Sequence, residues 1–206
     1  MKRILSTLLA ASLMLLGTQA FAQVSVNAGY INSTRTTKDA KSANANGAYA
    51  GFSFNLPIAG GFGIAPGVYY SMITSKDITN IGSLYSGTGK FTEHAINAPV
   101  HLNLSFGARD TKFFVYGGPT FQYGLKSISK FENEIVGVVS VKSGDIDNYK
   151  DANNARFVIY AGGGVGLNAK GIMVTVGYDY GITNLDKSGK SDSHRANLKI
   201  GLGYSF

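Results

Sequence analysis

Strict period-two alternation of apolar residues constrains this chain more than any other feature. It is clearest in residues 196–206, where Ala196, Leu198, Ile200, Leu202, Tyr204 and Phe206 fall on every second position. Successive side chains of a strand point to opposite faces, so this segment carries one apolar face and one small or polar face. The same alternation recurs over residues 24–34, 47–56, 62–72, 93–106, 113–123, 155–168 and 172–180, which predicts eight strands in all. In the fourth of them, Ile96, Ala98, Val100, Leu102, Leu104 and Phe106 oppose Asn97, Pro99, His101, Asn103 and Ser105. No helical period competes over a comparable length, and the chain reads as all-β.

The connections between these strands alternate in length. Residues 35–46, 73–92, 124–154 and 181–194 are long and polar, whereas 57–61, 107–112 and 169–171 are short. That order is what an eight-stranded antiparallel up-and-down transmembrane β-barrel requires when both termini lie on the side of the short turns. A soluble sandwich gives no reason for it. In this arrangement the lipid-facing aromatics fall near the strand ends, as amphipathic rings at membrane interfaces do. Tyr30, Tyr70, Phe121, Tyr123, Phe157, Tyr178 and Tyr180 gather at the long-loop rim, and Phe54, Phe62, Phe106, Phe113, Tyr204 and Phe206 at the other. A soluble lipocalin-like barrel is the architectural rival, and it would turn its apolar face inward.

The amino terminus reads as a secretory signal peptide over residues 1–22: Met1, Lys2 and Arg3, then an apolar stretch over 4–16, then Ala20-Phe21-Ala22. Residues 23–206 are then the barrel domain, 184 residues with a formal charge near +5 once Lys2 and Arg3 are removed from the +7 of the whole chain. Residue 23 is Gln, which argues against a lipid-modified amino terminus, and the absence of Cys removes disulfides and thiolate metal sites. The 27 glycines suit a narrow interior, and the 12 Tyr and 12 Phe separate this composition from that of a disordered linker.

An eight-stranded lumen is about filled by side chains, whereas aqueous channels usually have about 16 to 18 strands. The inward set is rich in Gly, Ser, Asn and Thr, with Tyr49, Tyr69, Tyr116 and Tyr160 able to pack against glycines of neighbouring strands. This reads as a packed polar core, with a narrow conducting path as the alternative. The inward ionisable residues are Glu93, His101, Asp179, Arg195 and Lys199. Pairing of the last two strands places Asp179 opposite Arg195 or Asn197, which suggests an ion pair near the long-loop mouth. It is either a selectivity constriction or a structural pair, with Lys199 and His101 deeper in the same polar network.

Catalysis needs a nucleophile within reach of an oriented base. The histidines are His94, His101 and His194. His94 is expected to face lipid with no Ser beside it, and His194 falls in a loop. Neither a Gly-x-Ser-x-Gly elbow nor a His-Glu-x-x-His zinc signature is present, so neither enzymatic activity nor a metal or other cofactor is expected.

Ala95-Ile-Asn-Ala-Pro-Val-His-Leu-Asn-Leu-Ser-Phe106, Phe113-Phe-Val-Tyr-Gly-Gly-Pro-Thr-Phe121, Tyr178-Asp-Tyr-Gly-Ile-Thr-Asn184 and Ile200-Gly-Leu-Gly-Tyr-Ser-Phe206 together resemble the porin-like outer-membrane β-barrel family of Gram-negative bacteria, in its small eight-stranded form of OmpA- and OmpX-like architecture. The resemblance implies an outer-membrane location with both termini periplasmic, lipid and lipopolysaccharide as surroundings, and no nucleic acid. It also implies a monomer whose terminal Tyr204 and Phe206 serve as a signal to the barrel-assembly machinery. Three readings follow: a structural or surface-interaction barrel displaying four extracellular loops, a narrow porin-like channel, and a lipid A-modifying enzyme.

The loops are where an extracellular ligand would dock. The first carries Arg35, Lys38 and Lys41 against Asp39; the third mixes Lys126, Lys130, Lys142 and Lys150 with Glu132, Glu134, Asp145, Asp147 and Asp151. Such charges either bridge lipopolysaccharide phosphates or simply keep the loops solvated. Residues 134–142 are too apolar for a free loop. They form a hairpin beyond the membrane, dock a partner, or cross the bilayer and make ten strands.

Overall fold

The computed structural model describes residues 23–38, 42–81, 85–108, 110–135, 139–142, 145–151, 154–188 and 191–206. The expected leader, Asp39 and Lys41 lie outside the described residues, as do the side chains of Glu132, Glu134 and Lys142. Eight long strands form the wall: β1 (Gln23–Thr37), β2 (Ala43–Ala59), β3 (Phe62–Ile81), β4 (Tyr85–Ala108), β5 (Thr111–Ile135), β8 (Phe157–Ala169), β9 (Ile172–Gly181) and β10 (Ser193–Ser205). Two short ones, β6 (Val139–Lys142) and β7 (Ile146–Asp147), lie against β5. The order β4-β3-β2-β1-β10-β9-β8-β5 is antiparallel throughout, and pairing of β4 with β5 closes the ring. The chain is a closed eight-stranded all-β barrel.

One short turn shows how locally the path is set. Lys170 and Gly171 adopt positive φ values of 53° and 92° between β8 and β9, the twist of a two-residue primed turn. The Asn168 side chain accepts the Gly171 N–H at 3.0 Å and fixes the turn.

Several strands overrun the lengths expected of them, β3, β4 and β5 the most. β3 and β4 stay paired from Phe62↔Leu104 up to Ile81↔Tyr85, so most of the second long connection is a tall hairpin and not a loop. β5 likewise continues to Ile135, well past Tyr123↔Phe157, where β8 leaves it. Polarity marks where a strand leaves hydrocarbon, but a backbone ladder continues in water wherever its pairing persists. The apolar stretch at 134–142 is part of this extension: β6 folds back on β5 through Glu132↔Lys142 to Ile135↔Val139, a hairpin that adds no crossing.

Burial follows strand parity. Leu102, Val165 and Leu202 are 56–64% exposed, whereas Glu93, Asn97, Gln122, Asp179, Arg195 and Asn197 are at most 8% exposed. The wall is therefore apolar outside and polar inside, which excludes the lipocalin-like alternative and suits a hydrocarbon solvent. Aromatic pairs mark the rims: Phe106 with Phe113 and Tyr204 with Phe206 at the short-turn end, Phe121 with Phe157 at the long-loop end. Inside, rings lie over glycines. A Cβ on Gly29 or Gly201 would meet Tyr49, one on Gly67 would meet Tyr69, and one on Gly164 or Gly177 would meet Tyr116.

Candidate functional site in the barrel lumen

The lumen divides into two unlike halves. In the long-loop half, Glu93 on β4 meets Arg195 on β10, two strands that stand four places apart whichever way round the ring is counted. The pair therefore crosses the full width of the bore. Its contact is bidentate, with Arg195 Nη1 donating to Oε1 at 2.5 Å and Nη2 to Oε2 at 3.0 Å. Both side chains are buried, at 8% and 6% exposure. Gln122 Nε2 donates to Glu93 Oε1 at 3.2 Å, and the Tyr160 hydroxyl donates to Gln122 Oε1 at 2.5 Å, so β5 and β8 brace the crossbar.

Further groups close over it. Arg35 donates to Ser193 Oγ at 2.8 Å and to Asn154 Oδ1 at 3.3 Å. Tyr149, from the long connection after β5, occupies the space a Cβ on Gly124 would need, and Arg156 lies 5.1 Å from its ring centroid. Burial, and then the negative charge of Glu93, push the Tyr149 phenol well above its usual range. Apolar clusters flank the crossbar: Ala155, Val158, Tyr160 and Leu185 on one side; Ile31, Ala45 and Ile73, with Tyr49 and Phe91, on the other. The cavity beside the crossbar, lined by Arg35, Gln122, Tyr149 and Val158 among others, measures about 10 Å³, which is room for about one water.

The short-turn half holds a cavity of about 190 Å³, lined by amides and hydroxyls such as Ser25, Asn27, Asn55 and Asn103 and by apolar side chains such as Ile31, Phe114 and Met173. Lys199 Nζ donates to Asp179 Oδ2 at 2.5 Å, but their strands, β10 and β9, are neighbours, so this pair hugs the wall and leaves the bore open. His101 stacks on Tyr116 at 5.2 Å and lies 3.3 Å from Thr120 Oγ1.

All five ionisable residues expected inside are inside, but their partners differ from the expected ones. Asp179 faces Asn197 in register. Its ion pair is with Lys199, because Arg195 reaches across the bore to Glu93. The single network expected to include Lys199 and His101 is thus two separate groups. His194 is not in a loop: it lies in β10, stacked on Tyr180 and 2.9 Å from the Gly181 carbonyl. His94 faces outward as expected, with Nδ1 2.5 Å from the Tyr70 hydroxyl, and both residues are solvent-exposed or half-exposed. Among the described residues no group of three His, Cys, Asp or Glu could hold a metal ion. Sequence reasoning missed Arg35 and Tyr149 as lumen residues. Extending the inward parity of Ser25, Asn27, Ile31 and Ser33 by one step reaches Arg35; nothing in the sequence marks Tyr149.

Comparison with known proteins gives the following similarities. The family described as "Outer membrane protein beta-barrel domain" matches residues 16–187. No curated protein matches the sequence. Among solved structures, Ail, the attachment invasion locus protein of Yersinia pestis, is similar at 16% identity and a TM-score of 0.45, covering 90% of this chain and 99% of that one. Neisserial surface protein A is similar at 14% identity and 0.47, covering 89% and 97%. The outer membrane enzyme PagL is similar at 9% identity and 0.36, covering 85% and 98%.

Proposed function

Because the chain belongs to the outer membrane protein β-barrel domain family, we propose that it is a non-conducting outer-membrane barrel whose work is done by its long-loop end, with both termini in the periplasm. The observation that carries this reading is the Glu93–Arg195 crossbar, a buried ion pair that spans the bore between opposite walls. A channel needs a continuous polar path, and desolvated, hydrogen-bonded ion pairs of this kind resist separation. Planar-bilayer recording on the purified barrel is expected to be silent; steady conductance that depends on solute size would overturn the reading in favour of a narrow pore. The cavity of about 190 Å³ is the observation that favours that second reading, but neither Glu93 nor Arg195 is among the residues that line it.

An enzymatic role is disfavoured by the company of His94. Its partner is the Tyr70 hydroxyl, whose phenol is a poor acyl acceptor, and no oriented third group accompanies the pair. The cleaved leader over residues 1–22, the monomeric state and the assembly role of Tyr204 and Phe206 complete the proposal. Phe206 lies on the outer face, packed edge-on against Tyr204 at 5.0 Å, and its N–H donates to the Val24 carbonyl at 2.9 Å. Removing Phe206 is expected to lower the yield of membrane-inserted barrel while leaving any loop-borne binding of the inserted fraction intact; unchanged insertion would remove this assignment.

A further inference from the structure

We propose that the outward face of the tall β3–β4–β5 extension docks the phosphate groups of the lipopolysaccharide surrounding the barrel, through Lys76, Lys90, Lys126 and Lys130. The proposal rests on the outer-membrane reading and names a partner for one side of the long-loop end.

The strand register assembles the face. Lys76 is opposite Lys90, and Lys90 is opposite Lys130, so three lysines form one row across three adjacent strands. Four residues closer to the bilayer, His94 is opposite Lys126. All four lysines are exposed. Lys76 shares the parity of Tyr70 and Met72, and Lys90 that of His94, Ile96 and Val100, so the face that meets lipid lower down becomes cationic above the aromatic rim. The irregularity at His94/Ala95 keeps both Leu125 and Lys126 outward on β5, which adds a cation at the level of the rim.

Like charges placed directly opposite one another weaken a sheet. Among the described residues Asp145 is the carboxylate in ion-pair range of this face, 2.9 Å from Lys130. An anion supplied from outside removes the repulsion.

The two cationic levels are separated by about 14 Å along the strands, at a strand rise of ~3.4 Å per residue. With the usual tilt of such barrels that is about 10 Å in height above the aromatic rim. The face looks sideways over the headgroup layer and not out into the medium. Its fitting occupant is therefore the membrane's own phosphorylated glycolipid, with phosphates held at fixed height beside the barrel, and not a soluble polyanion arriving from above.

The test compares the mature barrel with Lys76→Gln/Lys90→Gln/Lys126→Gln and with a charge-matched control, Lys38→Gln/Lys150→Gln/Lys187→Gln, whose lysines are exposed elsewhere. Affinity for purified lipopolysaccharide is measured in phospholipid nanodiscs, alongside dephosphorylated lipopolysaccharide and soluble polyphosphate. The row variant is expected to lose about tenfold or more in affinity, since each basic side chain near an anionic surface contributes about 1 kcal/mol. The control is expected to stay within twofold, and wild type should bind dephosphorylated lipopolysaccharide as weakly as the row variant does.

An unchanged row variant, an equal loss in the control, or a preference of wild type for soluble polyphosphate would each overturn the proposal. Should the triple variant fail to fold, Lys90→Gln alone and the salt dependence of wild-type binding carry the same decision: affinity insensitive to both salt and Lys90 contradicts it. Recovery of folded protein from the outer membrane is scored separately. Loss of that recovery in wild type would sink the location, whereas the row variant's affinity bears on the docking face alone.

Discussion

The two halves of the lumen are built from the same strands, the same inward parity and the same kinds of charged residue, yet one is closed and the other is hollow. The difference lies in which strands carry the charges. Glu93 and Arg195 sit on opposite walls, so satisfying each other draws two long side chains across the bore. Asp179 and Lys199 sit on adjacent strands, so the same chemistry is satisfied along the wall. The composition of the two halves follows suit. Ala45, Ile73, Val158 and Leu185 pack the closed half, while amides and hydroxyls line a cavity of about 190 Å³ in the other, together with Ile31, Phe114 and Met173. A barrel of fixed strand number thus seals or opens according to whether its ion pairs span the bore or run along its wall.

The largest effect is expected from breaking the crossbar. Arg195→Leu leaves Glu93 buried and unpaired and is expected to destabilise the barrel by about 3–5 kcal/mol, measured by urea unfolding in lipid vesicles. Replacing both residues with Met restores most of that loss, because removing both buried charges also removes their desolvation cost. If Arg195→Leu unfolds at the wild-type urea concentration, the crossbar does not hold the closed half together.

The corresponding change in the open half is expected to matter less. Lys199 lines the larger cavity, so in Lys199→Met water reaches the place its ammonium held beside Asp179, and the expected loss is roughly 1–2 kcal/mol. Equal losses for Arg195→Leu and Lys199→Met would erase the contrast between the halves.

The smallest effect concerns the cap. The Tyr149 phenol is held protonated above its unfolded value, so its contribution to stability is complete below pH ~10 and is lost as pH rises through the folded value. The difference in stability between wild type and Tyr149→Phe is therefore expected to be constant from neutral pH up to pH ~10 and to shift against wild type above it. A difference independent of pH up to 12 would show that the phenol is not held in the closed half.

Much of the wall was legible in the sequence, because period two is enforced separately on every strand by a solvent that differs on its two faces. Leu198, Ile200 and Leu202 alternate with Asn197, Lys199 and Gly201 for that reason, and the face of each follows directly. The tyrosines over glycines were legible too, since a bulky ring on an inward position demands a missing Cβ opposite it. Strand ends were not legible: 73–92 is polar because it stands in water, and polarity carries no information about whether β3 and β4 stay paired. The crossbar was hidden for a different reason. Hairpin pairing predicts neighbours on adjacent strands, such as Asp179 with Asn197, whereas Glu93 and Arg195 are 102 residues apart and meet only once the ring closes. Arg35 was misjudged as a loop residue although its parity continued that of β1, and Tyr149 arrives from a connection without any period.

The contrast between the halves is tested most directly by access to the cavity from each side. The chain has no Cys, so a single Ser53→Cys in the cavity lining gives one unambiguous reporter. In proteoliposomes of defined orientation, a membrane-impermeant thiol reagent is expected to label this residue when added on the short-turn side and to leave it unlabelled when added on the long-loop side. Labelling from the long-loop side at a comparable rate would show that the Glu93–Arg195 crossbar does not seal the bore and would contradict the account.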